Sequence, residues 1–200
     1  MFGGAKAEVT VIAWVKKFTD KNWQATAAYL GYLTHPTSAL LYEVLSDSQL
    51  KEDVRNTMLQ AADILLKKYP DEFTLELLTD HIDDLLKRFQ NKALGDTIFR
   101  VGCDLQRKLG AEDRLAGAIH HARELKLTYH LILKALVSGC HFNATDEAGN
   151  RLPADGEFRD IYSKGIKAVL TSICGFDEIA DFEVISEAIA LDNLLSAYTY

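Results

Sequence analysis

SQLKEDVRNTMLQAADILLKKYP, positions 48–70, decides the fold. Leu50, Val54, Met58, Ala61, Leu65 and Tyr69 recur at steps of three and four. That spacing lines side chains along one face of an α-helix, whereas a half-buried strand would alternate with a period of two. Lys51, Glu52, Arg55 and Lys67 fall on the other side and suit a solvated face. Ser48 is placed to cap the first turn, and Pro70 stops the run because it cannot donate to a helix interior.

The helical reading extends outward in both directions. Upstream, Trp23–Leu33 carries alanines and large apolar residues on every side. A helix apolar all round is a central, buried one, and Gly31 within it would let a neighbouring backbone come close. His35-Pro36 marks a turn, and Pro36 suits the first turn of a helix expected to run to Ser46. Downstream, Leu78, Ile82, Leu85 or Leu86 and Phe89 give one inner face to a helix over Leu75–Phe89. Further helices are expected over Glu112–Leu125, Thr128–Cys140, Gly156–Ile173 and Phe182–Ser196. Asn143–Asp155, polar and holding Gly149-Asn150 and Pro153, reads as a surface loop. Residues 8–18 are β-branched and stay ambiguous between strand and helix. The fold class expected is all-α, a single multi-helix domain.

Composition supports this. Two hundred residues suit one domain, and 48% hydrophobic with 26% charged residues is ordinary for a globular protein. Only 3 prolines and 12 glycines occur, too few for the turns of an all-β fold. The formal net charge of −7 argues against nucleic acid as the partner, since phosphate backbones require a concentrated basic surface. Lys16-Lys17 and Arg107-Lys108 are short basic spots that suit an anionic small molecule. Cys103, Cys140 and Cys174 are odd in number and widely spaced, which fits buried reduced thiols better than a disulfide framework or a zinc site. His120 and Glu124 have metal-compatible spacing but no third ligand, so His120 is expected on the surface. No apolar run approaches the roughly 18 residues of a membrane span. No secretory leader is recognisable, and a cytoplasmic protein is expected. No glycine-rich turn follows a strand, so no dinucleotide fingerprint is present.

One stretch departs from the regular period. NKALGDTIFRVGCDLQRKLGAEDRL, positions 91–115, holds many polar residues among apolar ones. It resembles a segment of the mannitol-1-phosphate 5-dehydrogenases at Asn91, Leu94, Asp96, Arg100, Val101, Gly102, Arg107, Lys108, Leu109, Asp113, Arg114 and Leu115. The likeness extends to Ala28-Tyr29-Leu30-Gly31, Lys67-Lys68-Tyr69, His141-Phe142, Ile173–Asp177 and Val184–Ala188. It thus covers most of residues 16–196, all on the side of that family's C-terminal domain, which resembles the C-terminal domain of 6-phosphogluconate dehydrogenase. The resemblance implies one helical domain over 1–200, with 1–15 an arm of uncertain membership and no Rossmann domain.

The resemblance also implies roles. The family's lysine base falls on Lys16, its asparagine on Lys21 and its histidine on Gln24. A shift of one residue would offer Asn22 instead of Lys21, but no shift supplies a histidine. An amide can donate a hydrogen bond but cannot take the protonation states of imidazole. The chain is therefore expected not to be catalytically competent alone. The family's substrate-binding arginine and lysine fall on Arg100 and Lys108, with Arg107 and Asn91 as further candidates. Whether Arg100, Asp96, Asp104, Asp113 and Arg114 make an internal ion-pair network or meet a ligand stays open at this point. No cofactor is expected in this chain, NAD belonging to the full-length family enzyme, and no metal. The expected function is that of a stand-alone or truncated substrate domain interconverting mannitol 1-phosphate and fructose 6-phosphate only within a complete enzyme. The alternative is a non-catalytic module that binds a sugar phosphate, a polyol or another protein. A homodimer, or a separate NAD-binding domain, is expected to cover a surface near Trp14, Phe18 and Trp23.

Overall fold

Gln24–Thr34, here α1, is buried along most of its length in the computed structural model, which describes residues 23–198. Lys16, Lys21, Trp14, Phe18, the arm 1–15 and the ambiguous stretch 8–18 lie outside the described residues. Ten helices follow α1: α2 Leu41–Val44, α3 Ser48–Lys68, α4 Leu75–Phe89, α5 Ile98–Gly102, α6 Leu105–Lys108, α7 Arg114–Glu124, α8 His130–His141, α9 Pro153–Tyr162, α10 Ile166–Ser172 and α11 Phe182–Tyr198. Among the described residues no strand forms, and one antiparallel bridge joins Leu40 to Thr97. The fold is all-α, as the periodicity requires.

α1 packs on α5, α8 and α3, and α3 packs in turn on α4 and α8. Leu50, Val54, Met58, Ala61 and Leu65 are each at most 4% exposed, so the stripe read from the sequence is the core face of α3. Burying a side chain of the size of Leu50 or Met58 contributes about 1.5–3 kcal/mol. α8 has no cap of its own at Tyr129. Its first amides are taken up by α3, whose buried Gln60 accepts from Leu131 N at 2.9 Å and Ile132 N at 3.1 Å through Oε1. α11 closes the other side against α8 and α10.

Several sequence expectations need correction. The cap of α3 is Asp47, not Ser48: its Oδ1 accepts from Gln49 N at 2.8 Å and Leu50 N at 3.1 Å. Those backbone amides hold the Asp47 carboxyl below its ordinary value. The helix expected over Pro36–Ser46 shrinks to Leu41–Val44, because Leu40 is extended and engaged in the bridge to Thr97. The group close to Gly31 is the Val44 side chain and not a backbone, and a Cβ there would lie 2.8 Å from it. The helix expected over Gly156–Ile173 is two, broken at Gly165, which takes a φ of 101°. It begins earlier than expected, with Pro153 in its first turn. Trp23 is 1% exposed and belongs to the core, so it offers no surface to a partner. No helix of the described residues is long and apolar enough to cross a membrane.

Candidate functional site

The bridge between Leu40 and Thr97 pins the start of the polar segment to α2, with Leu41 N donating to Asp96 O at 2.9 Å and Ile98 N to Ala39 O at 2.8 Å. Asn91 leads into a short 3-10 turn over Lys92–Leu94, and its Oδ1 caps that turn by accepting from Ala93 N at 3.0 Å. Thr97 caps α5 in the same way, its Oγ1 accepting from Arg100 N at 3.1 Å. α5 ends at Gly102, Cys103 is extended, and Asp104 turns left-handed with a φ of 71°. α6 then starts in a new direction. This reversal brings Arg107 and Lys108 back toward Arg100 and Val101.

Between them, under the first turn of α1, lies a hollow of about 340 Å³. Gln24, Asp96, Arg100, Arg107 and Lys108 line it, together with Ala25, Leu94 and Val101. Gln24, 7% exposed, donates through Nε2 to Asp96 Oδ2 at 3.0 Å. The other carboxylate oxygen of Asp96 pairs with Arg100. Arg107 pairs with Asp104 and lies 3.8 Å from Asp113, which is also 3.2 Å from Arg114. The hydrogen bond that Arg107 Nε donates to Asp104 Oδ2 holds the guanidinium firmly charged. The ion-pair network exists, in two halves, and two of its arginines, Arg100 and Arg107, line the hollow as well.

Lys108 differs from the two arginines. Its Nζ donates to the Val101 carbonyl oxygen at 2.5 Å, and burial pushes its amine below the usual lysine range. A lysine whose charge is opposed by burial gives up and takes a proton nearer neutrality than a solvated one. Arg100 and Arg107, with side chains 64% and 53% exposed, stand at the rim. Planar guanidinium forks suit the oxygens of a phosphate or carboxylate.

The turn carrying Lys108 is held from three distant points. Tyr29 of α1 donates its hydroxyl to Gly102 O at 3.1 Å. Phe142, at the end of α8, packs against Gly102 so closely that a Cβ there would sit 2.2 Å from the ring. Asp155 of α9 accepts from Asp104 N at 3.1 Å and Leu105 N at 2.7 Å.

Arg100, Arg107 and Lys108 are thus brought together, and Gln24 joins them. Asn91 is not: it is exposed, its side-chain oxygen is occupied by capping, and it does not line the hollow. Lys16 and Lys21 lie outside the described residues. Asp155, read as part of a surface loop, is 6% exposed and belongs to the support of the site. His120 is half-buried rather than free on the surface: its ring stacks on Phe176 and its Nε2 lies 2.9 Å from Cys174 O. Cys140 and Cys174 are buried, and burial raises both thiols, while Cys103 is only partly covered beside the turn. Among the described residues no three His, Cys, Asp or Glu side chains gather as a metal would need. Nor, among the described residues, do a strand, a glycine turn and a helix form the Rossmann-type cradle that holds a dinucleotide's phosphates.

The architecture is that of a helical domain found in polyol dehydrogenases. A crystal structure of D-sorbitol dehydrogenase in substrate-free form superposes with a TM-score of 0.68 at 20% identity, over 94% of this chain and 39% of that one. The chain belongs to the mannitol dehydrogenase C-terminal domain family, whose model matches residues 23–194. A mannitol-1-phosphate 5-dehydrogenase of Clostridium acetobutylicum is 30% identical over 185 residues, 92% of this chain and 44% of the relative. The chain spans less than half the length of these relatives.

Proposed function

We propose that this chain is the substrate-recognition half of a mannitol-1-phosphate 5-dehydrogenase-like oxidoreductase, acting in the cytoplasm on a polyol phosphate. The observation that carries the proposal is the hollow itself. In a chain of net charge −7, three cations converge there against one lining carboxylate. Asp96 and Asp104 pair the two arginines, so what the hollow offers an anionic ligand is their exposed guanidinium edges together with the Lys108 amine. The exposed forks of Arg100 and Arg107 at the rim take the phosphate. Lys108 and Gln24, deeper and less mobile, take hydroxyls of the carbon chain. The similarity to a mannitol-1-phosphate 5-dehydrogenase supports the same ligand class.

Hydride transfer needs a nicotinamide held beside the reacting carbon. On this reading a separate NAD-binding unit supplies it, and the chain described here binds and orients the substrate. Gln24 favours a second reading, a non-catalytic sugar-phosphate module. It occupies the position where the family resemblance implies histidine, and its amide is committed to Asp96.

Calorimetry with mannitol 1-phosphate, fructose 6-phosphate, mannitol and NAD tests both readings. The expected result is binding of a sugar phosphate, weaker binding of unphosphorylated mannitol, and loss of the phosphate preference in Arg100→Ala. Absence of sugar-phosphate binding refutes the proposal. Turnover of mannitol 1-phosphate with NAD by the chain alone would overturn the assignment of the cofactor to a separate unit. Turnover only after a separately made NAD-binding domain is added distinguishes the substrate half from the non-catalytic module.

A further inference from the structure

We infer that Asp155 is a positioning residue for the substrate hollow, holding α6 in the orientation that points Lys108 inward. The inference rests on the reading that the hollow receives substrate. α6 has four residues, far below the length at which a helix is stable by itself. Its orientation must therefore come from outside. Leu105 and Leu109, 1% and 0% exposed, anchor its apolar side but do not pair the amides at its start.

Asp155 supplies what these contacts cannot. It lies 50 residues further along the chain, in the first turn of α9, and each of its carboxylate oxygens takes one amide of the turn. The two amides belong to Asp104, which is left-handed, and to Leu105, which opens α6. A left-handed residue other than glycine costs about 1–2 kcal/mol and persists only where its surroundings fix it. A buried carboxylate that receives two amides is such a fixture, because charge-assisted hydrogen bonds are short and directional. The result is read out at Lys108, whose amide donates to Asp104 O at 3.0 Å and whose Nζ reaches back to Val101 O. Without Asp155 the turn relaxes, α6 loses its register, and Nζ swings out of the hollow to solvent.

The test reads Lys108 directly and needs no ligand. The full chain is reductively methylated at limiting reagent, and the rate at each lysine is followed by mass spectrometry. In the wild-type chain Lys108 is protected by burial and its bond to Val101 O. In Asp155→Ala its methylation is expected to be about tenfold faster, with far-UV circular dichroism unchanged. Asp155→Asn, which keeps one acceptor oxygen, is expected to fall between, and it carries the comparison if the alanine variant does not fold. Val169→Ala, a buried truncation on α10, controls for general destabilisation and is expected to leave the Lys108 rate alone. In a second arm, calorimetry with mannitol 1-phosphate is expected to show about tenfold weaker binding in Asp155→Ala and unchanged binding in Val169→Ala. An unchanged Lys108 rate in both Asp155 variants, or an equal rise in Val169→Ala, overturns the inference. If the wild-type chain binds no mannitol 1-phosphate, the substrate reading fails, and the methylation rates still decide whether Asp155 orients α6.

Discussion

Gly102→Ala is a sharp test of how the turn beneath the hollow is built. Two effects of opposite sign compete there. Alanine is a better helix former than glycine by about 0.5–1 kcal/mol, and Gly102 is the last residue of α5. Against this, the added Cβ would lie 2.2, 2.5 and 2.8 Å from three atoms of the Phe142 ring, where ordinary contact is 3.4–4 Å. The ring must move by more than 1 Å, and it has little room, being 2% exposed and packed with Tyr29 at 5.4 Å and Tyr32 at 5.1 Å between centroids. Overpacking of this kind costs about 1–3 kcal/mol. The steric term wins, and the net loss should be about 1–2 kcal/mol, a fall of roughly 2–8 °C in Tm for a domain of this size. Urea and thermal unfolding measure it. A double-mutant cycle separates the two effects: Phe142→Ala alone costs about 3–5 kcal/mol, but in that background Gly102→Ala should be neutral or mildly stabilising. If Gly102→Ala is as stable as the wild-type chain, or costs the same in both backgrounds, the ring does not bear on Gly102 as described.

Three further outcomes follow from the same geometry. Burial holds the His141 imidazole below its ordinary value despite the nearby Asp192, and the Arg159 charge acts in the same direction as burial. The unfolded chain therefore takes up the proton first, and stability should fall as pH drops below about 6.5 toward the folded value; urea unfolding at pH 5 and 7.5 should show this slope reduced in His141→Gln, and an equal slope in the variant would contradict it. Gln60→Ala strands the half-buried amide of Leu131 and the buried amide of Ile132 and should cost about 1–3 kcal/mol in urea unfolding; a variant as stable as the wild-type chain would mean that α8 does not draw its cap from α3. For Lys108, burial opposes the charge, so Lys108→Met should stay within about 1 kcal/mol of wild-type stability while binding mannitol 1-phosphate at least tenfold more weakly; a variant that melts but still binds would reverse the assignment.

What the sequence made legible depends on length and regularity. Leu75–Phe89 was readable because Leu78, Ile82, Leu85, Leu86 and Phe89 keep one long inner face, and the fold caps that helix at Thr74 through Oγ1. The start of α3 was not, since Asp47 and Ser48 are both good caps, and only the chain direction decides which one leaves helical geometry. Periodicity fails over 91–109 for a physical reason: helices of five and four residues are too short to register a period. There the family resemblance pointed to Arg100 and Lys108, and the fold brings both to one hollow. Asp155 left no such trace. A carboxylate in a polar stretch looks solvated until the fold brings it to amides 50 residues away. Trp23 was misplaced for the converse reason, since an aromatic at the head of a helix reads the same whether it faces the core or a partner.

The site's dependence on short helices has a consequence for how ligand and fold are coupled. α5 and α6 contribute the cations, yet neither is long enough to stand alone. The turn between them borrows its order from Tyr29 on α1, Phe142 after α8 and Asp155 on α9. Those three residues come from elements far apart in sequence, so the turn is complete only when the whole helical body has assembled. A ligand that bridges Arg100 and Lys108 would bind the assembled state alone, and by mass action it must stabilise every contact on which that state depends. A ligand that binds tightly without raising the unfolding midpoint would therefore have to sit on some other, locally ordered surface and not in this hollow.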